Sequence, residues 1–200
     1  MLAGADGAGK SSLGGAAIHA SGADYFNPDR VARQLREQDP GLSVEQANGR
    51  AWTLGRQGLE RALAEGLTCA FETTLGGASI TRLLREGARA GAEVHVWFVG
   101  LVSPALQLAR IQARVAAGGH DIPAAQVHER FDASRAHLIK LMPHLASLRV
   151  FDNSAEADPR AGRRPRPVLV LQMQAGRAVG HAPLREVLAW AKPILAAALR

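Results

Sequence analysis

The chain has 200 residues, 47% of them hydrophobic and 21% charged, and its 24 Lys and Arg outweigh 18 Asp and Glu for a net charge of +6. These are globular values for one ordinary domain, and a chain of this length buries roughly 70% of its unfolded surface, which excludes wholesale disorder. A lone cysteine, Cys69, excludes a disulfide scaffold and a zinc knuckle and suits a reducing cytoplasm.

Short apolar runs alternate with helical stretches, which predicts an α/β fold with a mainly parallel sheet. Ser11 to Ala20 reads as a short helix after a Gly-rich turn, and Asp24 to Phe26 as a brief strand stopped by Asn27-Pro28. Ser43 to Glu65 reads as one helix, or two, opened by the capping-box pair Ser43 and Gln46. A buried strand follows at Leu67 to Phe71, ending at Glu72, then a helix from Ala78 to Ala90 stopped by Gly91. Glu93 to Gly100 is the clearest strand. Ser103-Pro104 supplies an N-cap and a proline at the first helical position for a helix to Ala117. Gly118-Gly119 breaks it, and Pro123 starts another that runs to Leu141. A strand at Leu148 to Phe151, a Pro/Arg-rich loop at 158–167, an edge strand or hairpin arm at Val168 to Met173 and a closing helix at Leu184 to Leu199 complete the chain. All of 1–200 reads as a single domain, with 155–200 as its C-terminal strand and helix extension.

The basic charge is not patterned for nucleic acid. Lysine occurs only at positions 10, 140 and 192, aromatics make up 4%, and no run of five like charges exists, so base-stacking platforms and basic tracts are both missing. No segment reaches the roughly 18 apolar residues of a membrane span. Val187 to Leu199 comes closest, but Lys192-Pro193 splits it. Gly residues and Lys10 stand where the apolar stretch of a signal peptide would be. The expectation is a soluble, cytoplasmic protein without nucleic-acid or membrane partners.

Gly4-Ala5-Asp6-Gly7-Ala8-Gly9-Lys10-Ser11 fits the phosphate-loop pattern G-x-x-x-x-G-K-[ST]. The glycines let successive N–H groups face inward as an anion nest, and the following helix adds its positive dipole end. Lys10 can reach the β and γ phosphates of a nucleotide and the Ser11 hydroxyl can ligand Mg²⁺, with Ser12 continuing the nucleotide contact. Only Met1-Leu2-Ala3 precede the loop, a short strand for a motif that follows a buried one.

A phosphate loop alone does not separate kinase, motor and switch. No N-K-x-D segment for guanine is present. A small kinase also needs a base for the acceptor hydroxyl and arginines for the transferring phosphoryl group. Asp29 follows the second expected strand and is the candidate base, or else a helix N-cap. Glu72 is a strand-end carboxylate at the ligand-binding edge of a parallel sheet, or else one that merely faces solvent. Arg110 and Arg114, spaced i, i+4, share a helix face beside the Gly118-Gly119 break, either as an anion clamp or as a solvated face. The histidines lack metal-ligand spacing; His95 reads as structural, and Trp52, Trp97 and Trp190 as core or cleft packing.

The segments LAGADGAGKSS, YFNPDRVA, FETTLGG, EVHVWFVGL, RVAAGGHDIP and RVFDNS, in that order, resemble the zeta-toxin family of P-loop kinases in its chromosomal, predicted-ATPase branch. The resemblance implies a three-layer P-loop kinase fold with a mainly parallel central sheet flanked by helices. It further implies transfer of the γ-phosphate of Mg-ATP to the 3′-hydroxyl of a UDP-activated amino sugar, UDP-N-acetylglucosamine. Carried over, Lys10 and Ser11 take the nucleotide and magnesium roles, Asp29 the base and Arg114 the first catalytic arginine, while Arg110 is a further candidate ATP contact from its spacing. Glu72, Thr73, Thr74 and His120 fall at the substrate side. His120 stands where better-known toxins have a second arginine: either Arg110 substitutes for it or the substrate differs. An antitoxin protein is the partner implied. The competing readings are a P-loop kinase of another small molecule (antibiotic, nucleoside or nucleotide) and a non-catalytic ATP-binding module acting through a protein partner.

Overall fold

The computed structural model describes residues 1–11, 13–14, 25–119, 121–155 and 166–200. Ser12 and His120, both named above as ligand contacts, lie outside them, as do most of the expected first helix and of the 158–167 loop. The described strands are β1 (Leu2–Gly4), β2 (Tyr25–Phe26), β3 (Ala70–Thr73), β4 (His95–Gly100), β5 (Ser147–Asp152), β6 (Val168–Gln174) and β7 (Arg177–His181). The described helices of seven or more residues are α1 (Pro28–Gln38), α2 (Val44–Glu65), α3 (Ala78–Arg89), α4 (Pro104–Ala116), α5 (Ala124–Leu141) and α6 (Lys192–Ala198).

The seven strands form one sheet in the order β2-β3-β1-β4-β5-β6-β7. The first five pair in parallel, and β6 and β7 add an antiparallel hairpin at one edge. Helices flank the sheet in a three-layer α/β arrangement. The strand before the phosphate loop is only three residues long, yet it lies between β3 and β4 with Leu2 and Ala3 buried. Covering on both faces demands continuous apolar runs, as in β4, where Val96, Phe98 and Val99 are sealed from solvent. The main core joins that strand to Leu148 and Val150 of β5, Leu138 and Leu141 of α5, and Trp190 and Ile194 near the C-terminus.

Several local signals act as expected. Ser43 caps α2 through a complete capping box with Gln46, and Gly66 ends it in the left-handed conformation. Ser103 caps α4, with Pro104 in its first turn. Other boundaries shift for physical reasons. β3 starts at Ala70 rather than Leu67, which is solvent-exposed, and it runs one residue past Glu72 to Thr73. The closing helix is confined to Lys192–Ala198, because Pro193 fits only a first turn and cannot continue a helix begun at Leu184. Trp52 is 49% exposed under the guanidinium of Arg56, outside the core, whereas Trp190 is buried against Phe98. His95 bonds the hydroxyl of Ser147 through Nδ1 at 2.8 Å, a strand-to-strand tie.

Candidate functional site

The phosphate loop is built on a backbone contact that admits no side chain. Gly4 has φ +126°, and a Cβ there would lie 2.0 Å from the carbonyl oxygen of Val99 in β4. That carbonyl accepts from the N–H of Ala5 at 3.2 Å, so the loop leaves the sheet tightly against its neighbour strand. Gly7 and Gly9 also have positive φ, 72° and 80°, as a curled anion-binding loop requires. From the far side, Asn153 Nδ2 donates to Ala8 O at 2.8 Å and Gln107 Nε2 to Asp6 O at 3.2 Å. The chain then turns helical at Lys10, with Leu13 N donating to Gly9 O at 3.1 Å.

Lys10 is only 7% exposed. Its ammonium donates to Gly4 O at 3.1 Å and Ala5 O at 3.0 Å and lies 3.7 Å from Glu72 Oε1. A buried ammonium so placed is neutralised by one carboxylate and faces the loop's own mouth. The other oxygen of Glu72 collects three donors: Ser11 Oγ at 2.8 Å, Tyr25 OH at 2.5 Å and Asn27 Nδ2 at 3.0 Å. Glu72 therefore joins the loop to the end of β2, and the reading of an idle carboxylate in solvent is excluded by these contacts.

Burial first, and then the hydrogen bond and charge of Glu72, push the Tyr25 phenol up to about 12. A phenol ionises near pH ~10 in an unfolded chain. Tyr25 thus contributes stability in full below pH ~10 that is lost as pH rises towards its folded value. The difference in denaturation midpoint between wild type and Tyr25→Phe should shrink across that alkaline window; a constant difference would refute the assignment.

Asn27 works with both ends of its amide. Its Oδ1 accepts from Arg30 N at 3.0 Å, capping α1, while Nδ2 holds Glu72. Asp29 is consequently not the N-cap. It sits in the first turn of α1, where its carboxylate lies 3.9 Å from Arg114 Nη1 of α4. Beside this pair opens a cavity of about 700 Å³ whose lining includes Asp29, Arg33, Arg36, Asn48, Arg114 and Gly119. Three guanidiniums against the carboxylates of Asp29 and Glu37 make it a place for an anionic small molecule.

Not every expected residue joins this group. Arg110 and Arg114 diverge despite their spacing: Arg110 Nη2 donates to Ala155 O at 3.2 Å, at the other flank of the loop, with its Cβ stem beside Gly7. Thr73 and Thr74 use their hydroxyls locally, accepting from Leu75 N at 3.1 Å and Gly76 N at 3.2 Å. They shape the turn after β3, in which Leu75 is buried at φ 54° and its carbonyl accepts from His137 Nδ1 at 2.7 Å. Arg130, missed from the sequence, reaches the loop through Asp6 Oδ2 at 3.3 Å. Among the described residues no cluster of three or more His, Cys, Asp or Glu is placed to hold a metal ion, and no helix is long and apolar enough to cross a membrane.

The fold and the loop have counterparts among known proteins. A protein of Haemophilus influenzae, described as uncharacterized, is 31% identical over 106 residues, which cover 53% of this chain and 73% of that one. The complex of AvrRxo1-ORF1 with AvrRxo1-ORF2, solved also with ATP, matches at TM-score 0.67 and 17% identity over 98% of this chain. The present chain spans 62% of that solved chain. The PezAT chromosomal toxin–antitoxin system of Streptococcus pneumoniae matches at TM-score 0.51 and 15% identity, covering 82% of this chain and 72% of that one. At such identities these structures share the fold with it. Residues 1–138 match the family described as an AAA domain, AAA_33, and the chain belongs to that family of P-loop proteins.

Proposed function

We propose that this protein is an ATP-dependent small-molecule kinase whose acceptor is a UDP-activated amino sugar, with UDP-N-acetylglucosamine as the first candidate. The observation that carries the reading is the continuity of two half-sites. Glu72 ties the phosphate loop at Ser11 and Lys10 to Asn27, which caps the helix presenting Asp29 to an arginine-lined cavity. Donor and acceptor subsites that share a wall are what direct phosphoryl transfer needs. A diphosphate-bearing acceptor answers the arginines, and the resemblance of the motif order to zeta toxins favours the amino sugar.

In this reading Asp29 accepts the proton of the acceptor hydroxyl as its oxygen attacks the γ-phosphorus. The bond from that phosphorus to the β–γ bridging oxygen breaks, and ADP leaves with the electron pair. Lys10, Arg114 and the loop N–H groups hold the transferring charge. The hard oxygen donors at Ser11 and Glu72 suit Mg²⁺, which Ser11 would bind and which would neutralise phosphate charge. One domain, a cytoplasmic setting and an antitoxin-like protein partner belong to the same proposal. The last rests on the toxin–antitoxin and two-protein complexes among the structural relatives.

The test is ATP consumption by purified protein with Mg²⁺, with and without UDP-N-acetylglucosamine, reading products by mass. A phosphorylated sugar nucleotide that disappears in Lys10→Ala is the expected result. ATP bound but the sugar nucleotide untouched would transfer the proposal to another acceptor. Binding without any turnover would favour an ATP-binding module that acts through its partner.

A further inference from the structure

The phosphate loop carries one side chain that works against its purpose. Its other variable residues are Ala5, Gly7 and Ala8, but Asp6 adds a largely buried carboxylate to a loop suited to anions. Asp6 is also held from behind, since its carbonyl accepts from the buried Gln107. Its carboxylate is answered by Arg130 from α5, at 3.3 Å. The arginine stem reaches it by passing over Gly76, where a Cβ would lie 2.7 Å from Arg130 Cγ. That route is framed by the Leu75 carbonyl bonded to His137 of the same helix. An ion pair with a partly exposed guanidinium contributes little to stability, so stability alone does not explain an acid inside this loop.

Position gives a better account. Lys10 rests on the carbonyls of Gly4 and Ala5, the residues immediately before Asp6. The terminal phosphate that Lys10 meets therefore arrives beside the Asp6–Arg130 pair. We infer that Arg130 is a γ-phosphate-binding arginine, held in waiting by Asp6 until ATP displaces the carboxylate. The inference rests on the nucleotide reading above. Doubly charged phosphate oxygens outcompete one carboxylate for a planar guanidinium, and the exchange brings α5 onto the nucleotide. Because α5 follows the Gly118-Gly119 break, the same arginine couples the filled loop to the segment beside the acceptor cavity.

The experiment is calorimetric binding of Mg-ATP and Mg-ADP to wild type, Asp6→Asn, Arg130→Ala and Arg130→Lys. Arg130→Ala should weaken ATP about tenfold, as loss of a charge-assisted hydrogen bond does, and leave ADP within about twofold. Arg130→Lys, which keeps the charge and the stem, should fall between. Asp6→Asn should move the other way and tighten ATP, because the competing carboxylate is gone. Equal weakening of ATP and ADP by Arg130→Ala, or a loss of ATP affinity in Asp6→Asn matching that of Arg130→Ala, would mean a static staple and overturn the inference. Should wild type bind neither nucleotide, the kinase reading falls first and this one with it. Should wild type bind both, with ATP and ADP affected alike, only this one falls.

Discussion

Asp29→Ala should lower phosphoryl transfer by about a thousandfold, within the range that a positioned general base supplies, while ATP affinity stays within about threefold. The residue sits in the first turn of α1, held by the Asn27 cap, and lines the cavity rather than the phosphate loop. Its removal therefore leaves the nest, Lys10 and Ser11 in place. Arg114 loses one contact, at 3.9 Å, and both side chains are exposed enough that stability should barely change. Single-turnover transfer measured alongside calorimetric ATP binding separates the outcomes. Equal loss of transfer and binding would reduce Asp29 to a structural element of the helix start.

The largest stability effect is expected at Gly4. Alanine there must accept φ +126° and move a carbonyl only 2.0 Å from its Cβ. Backbone strain and forced displacement each cost about 1–3 kcal/mol, so about 4 kcal/mol of destabilisation is expected. For a chain of this size that lowers the melting temperature by roughly 8–16 °C. The Val99 carbonyl that must move is also the acceptor for Ala5 N, so the mouth of the loop shifts with it. Thermal unfolding followed by circular dichroism checks the size. A variant melting within about 3 °C of wild type would mean that β1 and β4 separate more easily than their packing implies.

The phosphate loop was legible because each of its positions answers a local demand: positive φ, a cation, a hydroxyl. Caps were legible for the same reason, as Ser43 and Ser103 illustrate. Asn27-Pro28 carried the same signature of a cap before a first-turn proline, and read that way it announces α1 and removes Asp29 as the cap. Tyr25 and Arg130 were hidden for a different reason. Their partners Glu72 and Asp6 stand 47 and 124 residues away, and nothing local distinguishes a tyrosine in a two-residue strand or one arginine in an arginine-rich chain. β7 was missed because its strand, mostly exposed and at the sheet edge, has no apolar face to set a period. Helical spacing did not separate the surroundings of Arg110 and Arg114. They lie on one helix, but the loop beside Gly7 and the helix bearing Asp29 draw them to opposite flanks.

Trp190 ties these distant parts together. Its ring occupies the space that a Cβ on Gly100 would need, 2.2 Å away, and its indole N–H donates to Asp152 at the end of β5. β4, which shapes the mouth of the phosphate loop through Val99, thus stays uncovered on that side until residue 190 exists. On the ribosome, the loop and its lysine are made well before Trp190, whose ring covers β4 beside them. Between those two points the nascent chain carries the motif without the packing that fixes it. Competence to hold nucleotide therefore waits for a residue far along the chain from the loop itself.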